Sequence, residues 1–252
     1  MPLLEILLRT ATPITIGATL EAIDAICPDN LALLHSSFRR ICQLLVDADE
    51  WSQVTVLALM LRYARMFLEQ PRKGEKQAGD KIASTSTTGS AADEEDDIDP
   101  DLALLLQSTL PLLQSRNASV VIAAVRLFYL CGPLEDLQSD LGQQAIVTPL
   151  LRLSYGPSDT KGISSLCWEI LKVVAEQRPV SYSSNRAFPH SVLMYSPQQW
   201  LLRNELGKFL VRSSDPARTK SLKIHILTAL VNEENVNLLV KEFKVTENVY
   251  SS

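Results

Sequence analysis

Four stretches of the chain share one pattern: a pair of leucine-like residues, a short polar interruption, then a residue suited to start a helix. They are LLQSRNASVV at 112–121, LLVDADEW at 44–51, LVRSSDPA at 210–217 and, more loosely, LLRTATP at 7–13. Marking the second leucine-like residue of each break, and adding Leu151, gives Leu8, Leu45, Leu113, Leu151 and Val211, spaced by 37, 68, 38 and 60 residues. The two long intervals each hold a segment foreign to the pattern. Residues 71–99 have only Ile82 and Ile98 as large apolar side chains and include STSTTGS, so they bury too little to offset the entropy of ordering. Residues 180–199, VSYSSNRAFPHSVLMYSPQQ, carry five Ser and two Pro and break helical periodicity. Without these segments of 29 and 20 residues the long intervals become 39 and 40.

A period near 40 residues points to repeated helix pairs. On this reading Gln114–Asn117 is the tight turn between two antiparallel helices, where backbone groups at helix ends need polar partners. Thr12-Pro13, Asp99-Pro100 and Asp215-Pro216 each place a capping oxygen ahead of a proline at the first helical position. Asp49 and Glu50 put acids at the positive end of the next helix. In residues 50–69, Trp51, Val54, Ala58, Leu61 and Leu68 form one apolar stripe and Val56, Met60, Tyr63 and Phe67 another, leaving Ser52, Thr55, Arg62 and Glu69 toward water. Such a helix packs on two sides. Residues 117–131 are apolar almost all round except Arg126, which predicts an enclosed helix, and VNLLVKEFK at 236–244 predicts a further helix.

The expected fold is all-α, a right-handed α-solenoid of HEAT/armadillo-type helix pairs. Repeats are expected over 1–70, 100–179 and 200–252, with an acidic Ser/Thr linker at 71–99 and an irregular insertion at 180–199. Neither outermost helix pattern has an obviously polar outer face, so the chain reads as a piece of a longer solenoid, a fragment or truncated gene product that associates in isolation.

Composition narrows the function. Of the net charge of −5, residues 71–99 supply −4, from eight acids against four bases, and the remainder is nearly neutral. No basic patch is available for a nucleic-acid backbone. Cys27, Cys42, Cys131 and Cys167 form no CxxC pair and no ligand spacing with His35, His190 and His225, so buried reduced thiols are expected, with no metal and no disulfide framework. No apolar run approaches the ~18 residues that cross a bilayer, and MPLLEILLRT lacks the features of a signal peptide, so a soluble cytoplasmic chain is expected.

Phosphate-cradling and nucleophile-elbow motifs are missing, so no catalytic, cofactor-binding or metal-binding residue is assigned and no enzyme is expected. Asp93–Asp97 lacks the alternating ligand spacing of a calcium loop and reads as solvated linker, and Ser84–Ser90 beside these acids suits an acid-directed kinase. His225 reads as a packed or edge residue, and Asn117-Ala118-Ser119 as an accidental glycosylation sequon. Arg212, Arg218, Lys220 and Lys223 form a small basic cluster, read as a solvated helix face over a contact for acidic lipid or an acidic partner. Arg62 with Glu69 and Lys241 with Glu242 are read the same way.

Three blocks, 27–65, 99–133 and 209–243, carry LLVDADEW followed by RYAR, then LLQSRNASVV, then VRSSDP followed by LTALVNEEN. In that order they resemble the helical trunk of the β-adaptins, most closely the β-adaptins of adaptor protein complex 3, over a little under half of the chain. The resemblance implies a scaffold in a heterotetrameric clathrin-adaptor-type coat that moves proteins by vesicle from Golgi or endosome to lysosome or vacuole. It implies δ-type large, medium and small adaptor chains as partners, recruitment by an Arf-type GTPase, and a cytoplasmic chain peripheral on Golgi, endosomal and vesicle membranes. Other readings are a coatomer subunit, a nuclear transport receptor, or an enzyme or regulatory subunit. A receptor calls for a series of acids on inner helical turns and an enzyme for a convergent polar cluster; the sequence shows neither.

The chain departs from the β-adaptin pattern at two points. Those proteins run to further trunk repeats, a hinge and an appendage, and their pattern passes from AEQRP almost directly into WLLRNELGKFLVRSSDP. Because Val180 has GT-initial codons and Gln199 has CAG, residues 180–199 are expected to be a translated, unspliced intron. Transcript reads across residues 179 and 200 are expected to skip the segment, and uniform retention would refute the idea.

Overall fold

The computed structural model describes residues 2–69, 98–132, 143–156, 161–176, 202, 205–232 and 235–250. Most of the expected linker at 71–99, with Ser84–Ser90 and Asp93–Asp97, lies outside the described residues, as do the 180–199 insertion and His190. Among the described residues every regular element is helical. The chain divides into two compact units, residues 1–135 and 136–252.

The first unit begins with α1 (Pro2–Thr10) and α2 (Ile16–Ile26). A 3-10 stretch, Leu31–Ser37, runs into α3 (Phe38–Leu45), and α4 (Glu50–Phe67) follows. Then come α5 (Pro100–Thr109), its 3-10 continuation Leu110–Gln114, and α6 (Ala118–Cys131). The second helices α2, α4 and α6 stack in sequence, while α3 packs on α5. That is the neighbour-on-neighbour burial of a repeat protein. Ile16, Leu20 and Ile23 of α2, Val56, Leu57 and Met60 of α4, and Val120, Val121 and Leu127 of α6 fill the resulting core.

In the second unit a π-helical turn, Gln143–Val147, leads into α7 (Thr148–Ser154), then α8 (Lys161–Glu176). A 3-10 turn, Leu206–Phe209, precedes α9 (Ala217–Ala229), and α10 spans Val236–Tyr250. Helix α8 packs against both α7 and α9, around buried Cys167, Trp168, Leu171, Phe209, Ile226 and Leu227.

The polar breaks mark the ends of first helices. Leu45 and Leu151 lie in α3 and α7, Leu113 in the 3-10 turn after α5, and Val211 two residues past Phe209. The break in LLQSRNASVV is narrower than expected, because Gln114 is still helical and only Ser115–Asn117 turn. Pro111, lacking an N–H, sits where α5 tightens into that 3-10 turn. Asn117 then caps α6, its side chain accepting the Ser119 N–H at 2.9 Å. Asp99 accepts the Asp101 N–H at 2.9 Å with Pro100 at the first helical position, as expected. Asp49 accepts the N–H groups of Trp51 and Ser52, both at 3.1 Å, and the Ser52 hydroxyl at 2.5 Å. The Ser52 hydroxyl and backbone bonds favour the carboxylate and hold Asp49 below its ordinary range.

Two expected helix starts are corrected. Thr12-Pro13 opens a turn instead of α2: the Thr15 hydroxyl receives the Thr12 N–H at 2.9 Å, and the helix begins at Ile16. Asp215 does not cap α9, because its carboxylate is engaged by Lys223.

The stripes on α4 are corrected too. Trp51 is 83% exposed and Ala58 is also exposed, whereas Ser52 is buried. Val56, Met60, Leu61 and Tyr63 face the core as expected, but Leu57, Leu59 and Ala64 join them and Phe67 is 41% exposed. With α2 on one side and α6 on the other, the buried arc of α4 spans both flanks and shifts by about one residue at its N-terminal end. Gln53 is buried there, and its amide donates to the Ala48 carbonyl at 3.0 Å, satisfying the chain end after α3.

Candidate interaction surfaces

Interaction surfaces, more than a catalytic cleft, are what these helices offer. Among the described residues no group of three or more His, Cys, Asp or Glu side chains could hold a metal ion. Among them, too, no helix is long and apolar enough to cross a membrane. An open hollow of about 360 Å³ lies along α9, lined by Ala217, Lys220, Ser221, Ile224 and His225. His225 stands on its exposed face.

The expected solvated basic cluster is only partly that. Lys223 is completely buried, with its ammonium 2.7 Å from the Asp215 carboxylate, 4.8 Å from the Trp168 ring centroid and 5.2 Å from that of Tyr155. The ring faces attract the cation while Asp215, itself only 13% exposed, supplies the counter-charge. Asp215 also accepts the Arg212 N–H at 2.9 Å, and the Tyr155 hydroxyl donates to the Lys208 carbonyl. Arg212 remains on the surface, 5.2 Å from the centroid of the Tyr155 ring, and Arg218 pairs with Glu169 of α8. Lys223 thus forms an interior ion pair walled by aromatics, while Arg212 and Arg218 stay exposed. Sequence carried only a faint signal of it, a lysine between Leu222 and Ile224.

In the first unit Arg62 is a tether as well: it pairs with Asp24 and donates to the Pro28 carbonyl at 2.7 Å. Arg39 bonds Asp101 at 2.9 Å. The His35 Nδ1 lies 2.5 Å from the Tyr63 hydroxyl, and its ring meets Phe67 edge-on at 4.6 Å. Asn117 donates its amide to Glu50 at 2.8 Å, tying the start of α6 to the start of α4. The Asn117 side chain is thus committed at both ends.

All four cysteines are buried, as expected. Burial pushes the Cys42 thiol up to about 12 against a smaller opposing bond from Ser108, and burial pushes Cys167 up to about 11. Since the thiolate is the nucleophile, iodoacetamide at about pH 8 is expected to leave Cys42 and Cys167 unlabelled in the folded chain and to label them once denatured. Rapid labelling of the native chain would contradict their enclosure.

Residues 2–246 match the family described as the adaptin N terminal region. The chain is 31% identical over 248 residues to the AP-3 complex subunit beta-1 of Canis lupus familiaris, covering 96% of this chain and 20% of that protein. It is 34% identical over 268 residues to the AP-3 complex subunit beta of Dictyostelium discoideum, covering 96% of this chain and 22% of that one. The chain therefore spans about a fifth of the length of these curated relatives. In fold it resembles a chain of a homology model of the full-length AP-3 complex in an intermediate open conformation, with a TM-score of 0.60 and 24% identity over 99% of this chain and 37% of that chain.

Proposed function

Because the chain belongs to the adaptin N-terminal family, we propose that it is a non-enzymatic scaffold in an AP-3-type adaptor coat for vesicle-mediated protein transport. The observation that carries this reading is the match across residues 2–246, supported by second helices that stack one on the next. In such a scaffold the chemistry is shape: helix pairs hold other subunits through many modest contacts. The partners are a δ-type large chain and the medium and small chains. Recruitment by an Arf-type GTPase places the assembly peripherally on Golgi, endosomal and transport-vesicle membranes, on the way to lysosome or vacuole. The repeats occupy 1–70, 100–179 and 200–252.

The test is affinity purification of this chain, tagged at its own locus, with mass spectrometry of the associated proteins. Co-purifying δ-type, medium and small adaptor chains are the expected result. Chaperones alone would mean an unassembled fragment, and coatomer or importin cargo would move the chain to another solenoid family.

A further inference from the structure

The second unit contains a charged group that scaffolding by shape does not call for. Lys223 is enclosed, on the side of α9 that also buries Leu222, Ile226 and Leu227. Its ammonium reaches three elements: Asp215 in the turn before α9 at 2.7 Å, Trp168 of α8 at 4.8 Å, and Tyr155 at the end of α7 at 5.2 Å. The Leu210 carbonyl lies 3.4 Å away at the other end of the same turn.

Apart from that pair, the 210–216 turn is held by the Arg212 guanidinium, 5.2 Å from the Tyr155 ring centroid, and by its own closing bonds. Arg212, Ser213, Ser214 and Pro216 are exposed and Val211 half-exposed. The turn is closed locally by Arg212 donating to the Asp215 carboxylate at 2.9 Å and Asp215 N–H donating to the Arg212 carbonyl at 3.1 Å. The carboxylate that closes the turn is the same one that grips Lys223.

We infer that the Lys223–Asp215 pair is a latch that fixes the 210–216 turn against the aromatic floor of the preceding helix pair, serving register more than stability. Two considerations separate these roles. Replacing both partners of a buried ion pair by apolar groups of similar size is often neutral, because their attraction is offset by the desolvation of both charges. Its directional bonds nonetheless specify one placement of the turn, which the non-directional burial of Leu222, Ile226 and Leu227 does not by itself specify. The latch goes beyond the scaffold reading and stands or falls without it.

Lys223→Met separates them experimentally: methionine keeps the stem and places a polarizable sulfur over the rings, and the Asp215 carboxylate left behind, 13% exposed and still accepting the Arg212 N–H, can be hydrated as the turn loosens. The full 252-residue chain and this variant are digested with trypsin under native conditions. Cleavage is followed after Arg212 in the turn and after Arg152 in α7, in the same unit. Local opening exposes the first site alone, whereas unfolding of the unit exposes both. The latch predicts at least a tenfold faster cut at Arg212 in Lys223→Met, an unchanged rate at Arg152 and a melting midpoint within a few degrees of the parent. An unchanged rate at Arg212 would show that the pair does not hold the turn. Equal acceleration at both sites, or a sharply lower melting midpoint, would show that it serves stability alone. Either result overturns the proposal.

Discussion

Asp215→Ala is expected to destabilise the second unit by about 3–5 kcal/mol, the typical cost of removing one partner of a buried ion pair. Lys223 has no exposed side-chain surface, so the substitution leaves an ammonium facing two aromatic rings with no carboxylate to neutralise it. The ring contacts of the ammonium are present with or without Asp215 and do not replace its counter-charge. Arg212 N–H also loses its acceptor, and the turn loses its closure. Urea unfolding of the full chain gives the free-energy difference, with an unchanged slope indicating that the same surface is exposed. Asp215→Asn should cost less, because the amide oxygen still accepts from Arg212 and Lys223. A loss below about 1 kcal/mol for Asp215→Ala would place the pair among solvated surface bridges and contradict the buried geometry.

Gly17→Ala is the second large effect, and its sign is the informative part. In a free helix interior, alanine is favoured over glycine by about 1 kcal/mol. Here a methyl group at residue 17 would lie 2.0 Å from the Ser52 hydroxyl oxygen, 2.5 Å from its Cβ and 2.8 Å from its Cα. The last contact is backbone, so helices α2 and α4 must separate to admit it. Overpacking of that kind costs about 1–3 kcal/mol, so the first unit should lose stability where propensity alone would add it. Ser52→Ala in the same chain removes only the oxygen and should rescue a minor part; Ser52→Gly should rescue more. If Gly17→Ala stabilises the chain, α2 and α4 do not cross there at close range.

Sequence rules that work within about four residues read this chain well. The breaks at Leu45, Leu113 and Leu151, the caps at Asp49, Asp99 and Asn117, and the enclosed α6 all follow from local hydrogen bonding or helical period. The misreadings share the opposite property. Asp215-Pro216 has the same local grammar as Asp99-Pro100, yet one aspartate caps a helix and the other serves a lysine. What separates them is Tyr155 and Trp168, more than fifty residues from Lys223, whose rings convert a surface-looking lysine into an interior one. Trp51 fails in reverse: its size suggests core, but it is 83% exposed, while the next residue, Ser52, meets α2 at Gly17. Buried Ser52 was legible only through its partner, the glycine on another helix that makes room for it.

The doubly committed side chain of Asn117 bears on modularity. Aspartate caps helices as well as asparagine does, so a single repeat taken alone would accept either residue at this position. Here the amide donates to Glu50 in the helix pair before it, and an aspartate would set two carboxylates against each other. The identity of a residue in one repeat is thus dictated from the previous one. These units are not interchangeable bricks: grafting the α5–α6 pair behind a repeat without a hydrogen-bond acceptor at the position of Glu50 would leave its turn half-satisfied, and swaps between relatives should succeed in adjacent pairs more often than singly.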